Sequence, residues 1–137
     1  VTTKEWLQQY RIAKAAAERC FEDLDAADVL LRSPSYTGMP KGTQPKDLAD
    51  TVAQLERLRK RAEKARNKAI RLADEISDAI DSVPDRQLKM LLWLRYISCR
   101  NWYDIADAMN MSVRSIYYLH GKALTSLQSV AHDTVVL

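Results

Sequence analysis

Apolar residues recur along this chain at alternating three- and four-residue steps, in blocks separated by short breaks. In the first block Trp6, Tyr10, Ala13, Ala17, Cys20, Leu24, Ala27 and Leu31 keep that rhythm. The spacing predicts the seam of a coiled-coil-like helix of about 26 residues, roughly 39 Å long. Thr2 or Thr3 can cap its start. In the second block Leu48, Val52, Leu55, Ala62, Ala69, Ala73, Ile76, Ile80 and Val83 do the same. Arg59 and Arg66 interrupt the strict repeat there, and Leu58 and Ala65 beside them substitute. This predicts a helix from about Lys46 to Ser82, roughly 55 Å at the standard rise. It is longer than the first, so in an antiparallel hairpin part of it overhangs. Residues 33–45 between the blocks hold three of the four prolines and two of the three glycines, which predicts a loop.

A third block is denser. Pro84 suits the first turn of a new helix, and Asp85 beside it complements the helix dipole. Leu88, Leu91, Leu92, Leu94, Tyr96 and Ile97 then make a helix that is almost wholly core-like, with Trp93 and Trp102 expected in the core as well. Asn101 caps the next helix. There Ile105, Ala106 and Met109 form one stripe, and Ile116, Leu119, Ala123, Leu124 and Leu127 form a second. Between them, Asn110 tolerates the left-handed backbone of a sharp turn, Met111 is an apolar plug, and Ser112 can cap the next helix. The pattern predicts an all-α fold. A helical hairpin covers residues 1–83, and a three-helix helix-turn-helix domain covers 84–131, with helices near Pro84–Ser98, Trp102–Met109 and Val113–Ala131. Residues 132–137 form a tail.

The chain has 137 residues, 47% hydrophobic and 28% charged, as a folded helix-rich domain should. Its net charge of +3 permits a polyanionic partner without demanding one. Cys20 and Cys99 stand far apart with no Cys-x-x-Cys and no His at metal spacing, which favours two thiols in a reducing cytoplasm over a structural disulfide. No apolar run reaches the length of a membrane span, and the first residues lack the apolar core of a secretory signal. No Gly-rich phosphate loop, paired His/Cys or His/Asp set, or metal cluster occurs. Catalytic residues, cofactors and metals are therefore not expected.

Charge is more informative locally. Arg57, Arg59, Lys60, Arg61, Lys64, Arg66, Lys68 and Arg71 are opposed within their span only by Glu63. One expectation pairs several of them with Glu18, Glu22, Asp23, Asp25 and Asp28 of the first helix, as flanking charges pair in coiled coils. The other assigns them to phosphate or polymerase contact, for which Arg66, Lys68 and Arg71, beyond the acidic block, are the better candidates.

In the helix after Ser112, Val113, Arg114, Tyr117, Tyr118 and Gly121 lie off the core stripe. The first turns of such a helix reach base edges in the major groove, while flanking groups hold phosphates. Arg114 suits a guanine edge, and Val113 apolar contact. Tyr117 and Tyr118 offer hydroxyls to phosphate and ring faces to thymine methyls, the alternative being that they pack against neighbouring helices. Ser112, His120 and Lys122 complete the candidate DNA-binding set, the last two as rim or phosphate groups.

Residues Asn101 to Leu127, including Lys122-Ala123-Leu124, resemble region four of bacterial primary sigma factors, which reads the promoter −35 element. The wider stretch from Leu91 to Leu127 is similar to the RinA-like and ArpU-like regulators of phages and prophages. It carries Leu94-Arg95-Tyr96-Ile97, Trp102, Asp104-Ile105-Ala106, Ser112 and His120…Ala123-Leu124. That resemblance implies a helical N-terminal half, a sigma-like C-terminal domain and control of late-gene transcription in a bacterial host. It makes Val113, Arg114, Tyr117 and Tyr118 the groove-facing set. This chain departs in having Val113 and two tyrosines where sigma factors use charged or amide groups, and in having Cys99 where the phage proteins often carry Gly.

Three readings fit these features. The first is a sequence-specific transcriptional regulator that binds double-stranded DNA, with its hairpin dimerising or touching RNA polymerase. The second is a small terminase-like packaging subunit, in which the helix-turn-helix would more usually precede the coiled segment. The third is a protein that binds polymerase or a sigma factor without reading DNA.

Overall fold

The computed structural model describes residues 2–32 and 45–136, with side chains described for 2–31 and 48–130. The loop expected at 33–45 lies outside the described residues except for Pro45, which is already helical. The chain is all-α. Helix α1 is Thr3–Arg32 and α2 is Pro45–Asp81. Helix α3 is Arg86–Leu92 and continues as a π-helical turn, Trp93–Ile97. Helix α4 is Trp102–Met109 and α5 is Val113–Val136. The backbone of α5 thus passes its expected end at Ala131, so residues 132–136 extend the helix and are not a separate tail. Among the described residues no helix is long and apolar enough to cross a membrane.

Local chemistry fixes the helix ends. The Glu5 N–H donates to Thr2 Oγ1 at 3.2 Å, and the Thr2 N–H donates to Glu5 Oε2 at 3.1 Å. This is a reciprocal capping box, and it makes Thr2 the cap. Helix α3 starts later than Pro84 suggests. Asp85 is its N-cap, in extended backbone, and its Oδ1 accepts from the N–H groups of Gln87 (2.9 Å) and Leu88 (3.2 Å). An Asp side chain satisfies two orphan amides, which Pro cannot do, so Pro84 stays outside the helix.

Two compact units emerge: residues 13–69, and residues 1–12 together with 70–137. The boundary expected at 83/84 does not divide the packing. In the unit of residues 13–69, buried Ala13, Ala17, Ala62 and Ala69 are small enough to let α1 and α2 approach closely. The Arg66 guanidinium lies 5.8 Å over the Phe21 ring. Leu48 and Val52, expected in the seam, are exposed.

The other unit has one core. Leu7, Ile76 and Ile80 from the two long helices and Val83 just after α2 join Leu91, Leu92, Leu94, Tyr96, Ile105, Ala106, Ile116, Ala123 and Leu127. Leu7 is fully buried although it lies beside the seam, because residues of several helices converge on it. The π-helical turn alters the face that α3 presents. The Ser98 N–H donates to the Trp93 carbonyl at 3.0 Å, five residues back, and the Arg100 N–H reaches the Leu94 carbonyl at 3.0 Å. The wider turn buries both Leu94 and Tyr96 and leaves Trp93, expected in the core, 40% exposed.

Cys99 ends this turn in the left-handed region, at φ 55°. A side chain there costs about 1–2 kcal/mol, partly offset by the larger chain entropy of glycine. Its thiol makes only long contacts, to the carbonyls of Tyr96 (3.8 Å) and Ile97 (3.7 Å). Cys99→Gly is therefore expected to raise stability by about 0.5–1 kcal/mol. Urea unfolding should show a higher midpoint for Cys99→Gly and no such gain for Cys99→Ala. An equal gain in both would place the effect in the thiol and not in the backbone.

Candidate nucleic-acid interface

The exposed face of α5 is presented by a turn whose parts act together. Asn101, in extended backbone, accepts the Asp104 N–H on its Oδ1 at 2.8 Å and starts α4. Asn110 then ends α4 at φ 57°, ψ 46°. The Met111 N–H closes on the Ala106 carbonyl at 2.9 Å, and the Asn110 N–H on the Asp107 carbonyl at 3.2 Å. That paired closure is a Schellman motif, and Met111 packs against the core as its apolar contact. Ser112 Oγ accepts the Ser115 N–H at 3.1 Å and donates to Ser115 Oγ at 2.9 Å. Three residues thus turn the chain from α4 into α5.

On α5, buried Ile116, His120, Ala123 and Leu127 form the inward stripe, with Val113 and Val130 half-buried on the same line. Arg114, Tyr117, Tyr118, Gly121, Lys122 and Thr125 are exposed, at spacings that share one face of the helix. Tyr117 is 52% and Tyr118 66% exposed. A Cβ on Gly121 would meet no atom within 4 Å. A shallow notch there is lined by Tyr118, Gly121, Lys122, Thr125 and Ser126. The Lys122 Nζ sits 4.7 Å over the Tyr118 ring, which holds the cation on this face. The first acidic residue of α5 is Asp133. By contrast, the depression on α4 is lined by Asp104 and Asp107 as well as Arg100 and Ala108, and those carboxylates oppose an anion.

Behind the face lies an aromatic support. Trp102 meets Tyr117 edge-on, with centroids 5.3 Å apart, and meets His120 edge-on at 4.7 Å. Arg95 stacks 4.3 Å over Trp102, and its Nη1 donates to the Arg100 carbonyl at 3.0 Å. Tyr117 is therefore exposed yet braced. Val113 spends part of its surface on the core, which leaves only the remainder for a ligand.

The rim or phosphate role expected of His120 is corrected by its position. The residue is 8% exposed and shares a 2.6 Å hydrogen bond with the Tyr96 hydroxyl. Its place on the inward line, four residues after Ile116 and three before Ala123, is the sequence signal for this. Burial, then the nearby charges of Lys4 and Arg95, push its pKa down to about 4. It is neutral at pH 7 and supplies no charge. The folded pKa lies below the ordinary 6.5, so the unfolded chain takes up the proton first. The stabilising contribution is complete above pH 6.5 and is lost as pH falls toward 4. Between pH 7.5 and 5 the loss should be about 2 kcal/mol. Urea unfolding at both pH values should show a smaller pH effect in His120→Gln, which keeps an amide near the Nε2 position without titrating. Identical pH effects in the two proteins would exclude this origin.

The basic stretch of α2 also departs from expectation. Among the described residues, Arg59 pairs with Glu56 of its own helix at 3.4 Å. No ion pair joins these cations to Glu18, Glu22, Asp23 or Asp25, which are exposed. Arg66 is turned onto Phe21, while Lys68 and Arg71 are exposed.

The fold is thus an all-α chain in which a capped turn between α4 and α5 presents an exposed helix face. The chain belongs to the family described as protein of unknown function DUF1492, whose model matches residues 30–128. No curated protein and no solved structure matches it.

Proposed function

We propose that this chain is a sequence-specific DNA-binding regulator of phage or prophage transcription that reads duplex DNA with α5. One observation carries the reading: the exposed face of α5 combines Arg114, Tyr117, Tyr118 and Lys122, with no carboxylate among its described residues, directly after a tightly closed turn. A helix so placed can enter a major groove, with Arg114 at base edges and Lys122 toward phosphate. The resemblance to sigma region four and to the RinA-like and ArpU-like regulators supports the same role in late-gene control, in a bacterial cytoplasm and beside RNA polymerase. The exposed Leu48 and Val52 on α2 support pairing of two chains through the long helices.

Selection from a pool of randomised duplexes with the purified protein tests the reading. Enrichment of one short site, bound about 1,000-fold tighter than scrambled DNA, is the expected result. Equal binding to all sequences, or none, would favour a protein that touches polymerase or sigma without reading DNA. A ring of many chains in sedimentation would favour a packaging subunit.

A further inference from the structure

On α2, Arg57, Lys60, Arg61, Lys64 and Lys68 stand at positions i, i+3, i+4, i+7 and i+11, which is one face of the helix. All five are exposed. They span about 16 Å at the helical rise. Glu56 and Glu63 stand at one edge of this face, four residues before and three after Lys60, and the next carboxylates along it are Asp50 and Glu75, well beyond either end. Arg59 and Arg66, the other cations of the span, point elsewhere: one to Glu56, the other over Phe21. Among the described residues, Glu18, Glu22, Asp23 and Asp25 of α1, which would have neutralised the row within the chain, form no ion pair with it.

We infer that this face of α2 is a second contact surface for duplex DNA, binding the phosphodiester backbone without regard to sequence. The inference rests on the DNA-reading role of α5 and adds a site to it. Charge complementarity is direct, because about 16 Å of duplex axis carries roughly nine phosphate charges. The row contains no apolar residue, and three of its five members are lysines. Protein–protein interfaces are depleted in lysine and need an apolar centre, so an acidic protein surface is the poorer fit. Phosphate contacts position a reader on the duplex while base contacts specify, and this row is suited to the first task alone.

The test is a salt titration of binding to the selected duplex. It compares the full chain with the quadruple variant Lys60→Gln, Arg61→Gln, Lys64→Gln, Lys68→Gln. Removing one phosphate contact should flatten the slope of log K against log salt by about 0.9, so the full set flattens it by up to about 3.6. The preference for the selected over a scrambled duplex should survive. The pair Arg59→Gln, Arg66→Gln removes charge off this face and should leave the slope unchanged, which separates local contact from net charge. Thermal melting confirms that each variant folds. An unchanged slope in a folded quadruple variant that still prefers its site overturns this inference and leaves the role of α5 standing. Equal flattening by the control pair overturns it as well. If the parent protein binds no duplex at all, the role of α5 falls first and this surface falls with it.

Discussion

Ile116→Ala should destabilise the protein by about 2–5 kcal/mol, the range for truncating a fully buried Leu or Ile. Ile116 has no exposed surface and belongs to the core that also holds Ile105, Ala106 and Ala123. It sits one turn into α5, so the void would open beneath the turn that aims the exposed face. Interiors are packed too tightly to relax fully around such a gap. Against a typical total of about 5–15 kcal/mol, that loss is a large fraction of the fold. Urea unfolding followed by circular dichroism gives the number directly. A cost below about 1 kcal/mol would mean that this position is not at the centre of the packing.

Arg114→Ala should have the opposite profile. Arg114 is exposed, so its removal should change stability by less than about 0.5 kcal/mol. Its effect belongs to binding. A bidentate guanidinium–guanine contact contributes about 1–3 kcal/mol of discrimination, so the selected site should lose roughly 5- to 150-fold of its advantage over DNA changed at one base pair. Binding to scrambled duplex should weaken far less. Competition binding at fixed salt separates these outcomes. A variant that loses affinity equally for all duplexes would recast Arg114 as a phosphate contact, and one that loses nothing would remove it from the interface.

The turn between α4 and α5 is legible in the sequence because independent signals agree. Asn110 is the residue type that accepts positive φ, Met111 is apolar where the motif needs an apolar contact, and Ser112 caps. The Asn101 cap and the two long helices are legible for similar reasons. The π-helical turn is not, since Leu91, Leu92, Leu94 and Tyr96 satisfy an ordinary helical spacing nearly as well. Cys99 is not a residue type that favours positive φ, so nothing in its identity announces the left-handed residue that ends the turn. Residue type misleads at His120: its position marks the core, and a buried imidazole with a tyrosine partner satisfies that position. Among the described residues, Glu18, Glu22, Asp23 and Asp25 do not form the ion pairs expected of them with α2, because charge counts along a sequence do not give directions. Cations at three- and four-residue spacing gather on their own face of α2 instead. Nor can the spacing show that the ends of both long helices share a core with the C-terminal helices, because that depends on tertiary packing.

The outward face of α5 is proposed to lie against duplex DNA. A titration of the selected duplex into isotopically labelled protein, followed by backbone amide resonances, decides whether it does. Shifts should concentrate at Arg114, Tyr117, Tyr118, Gly121 and Lys122, with Ile105 and Ile80 unmoved. Saturating shifts that leave α5 silent, or that arise equally with a scrambled duplex, would contradict the account.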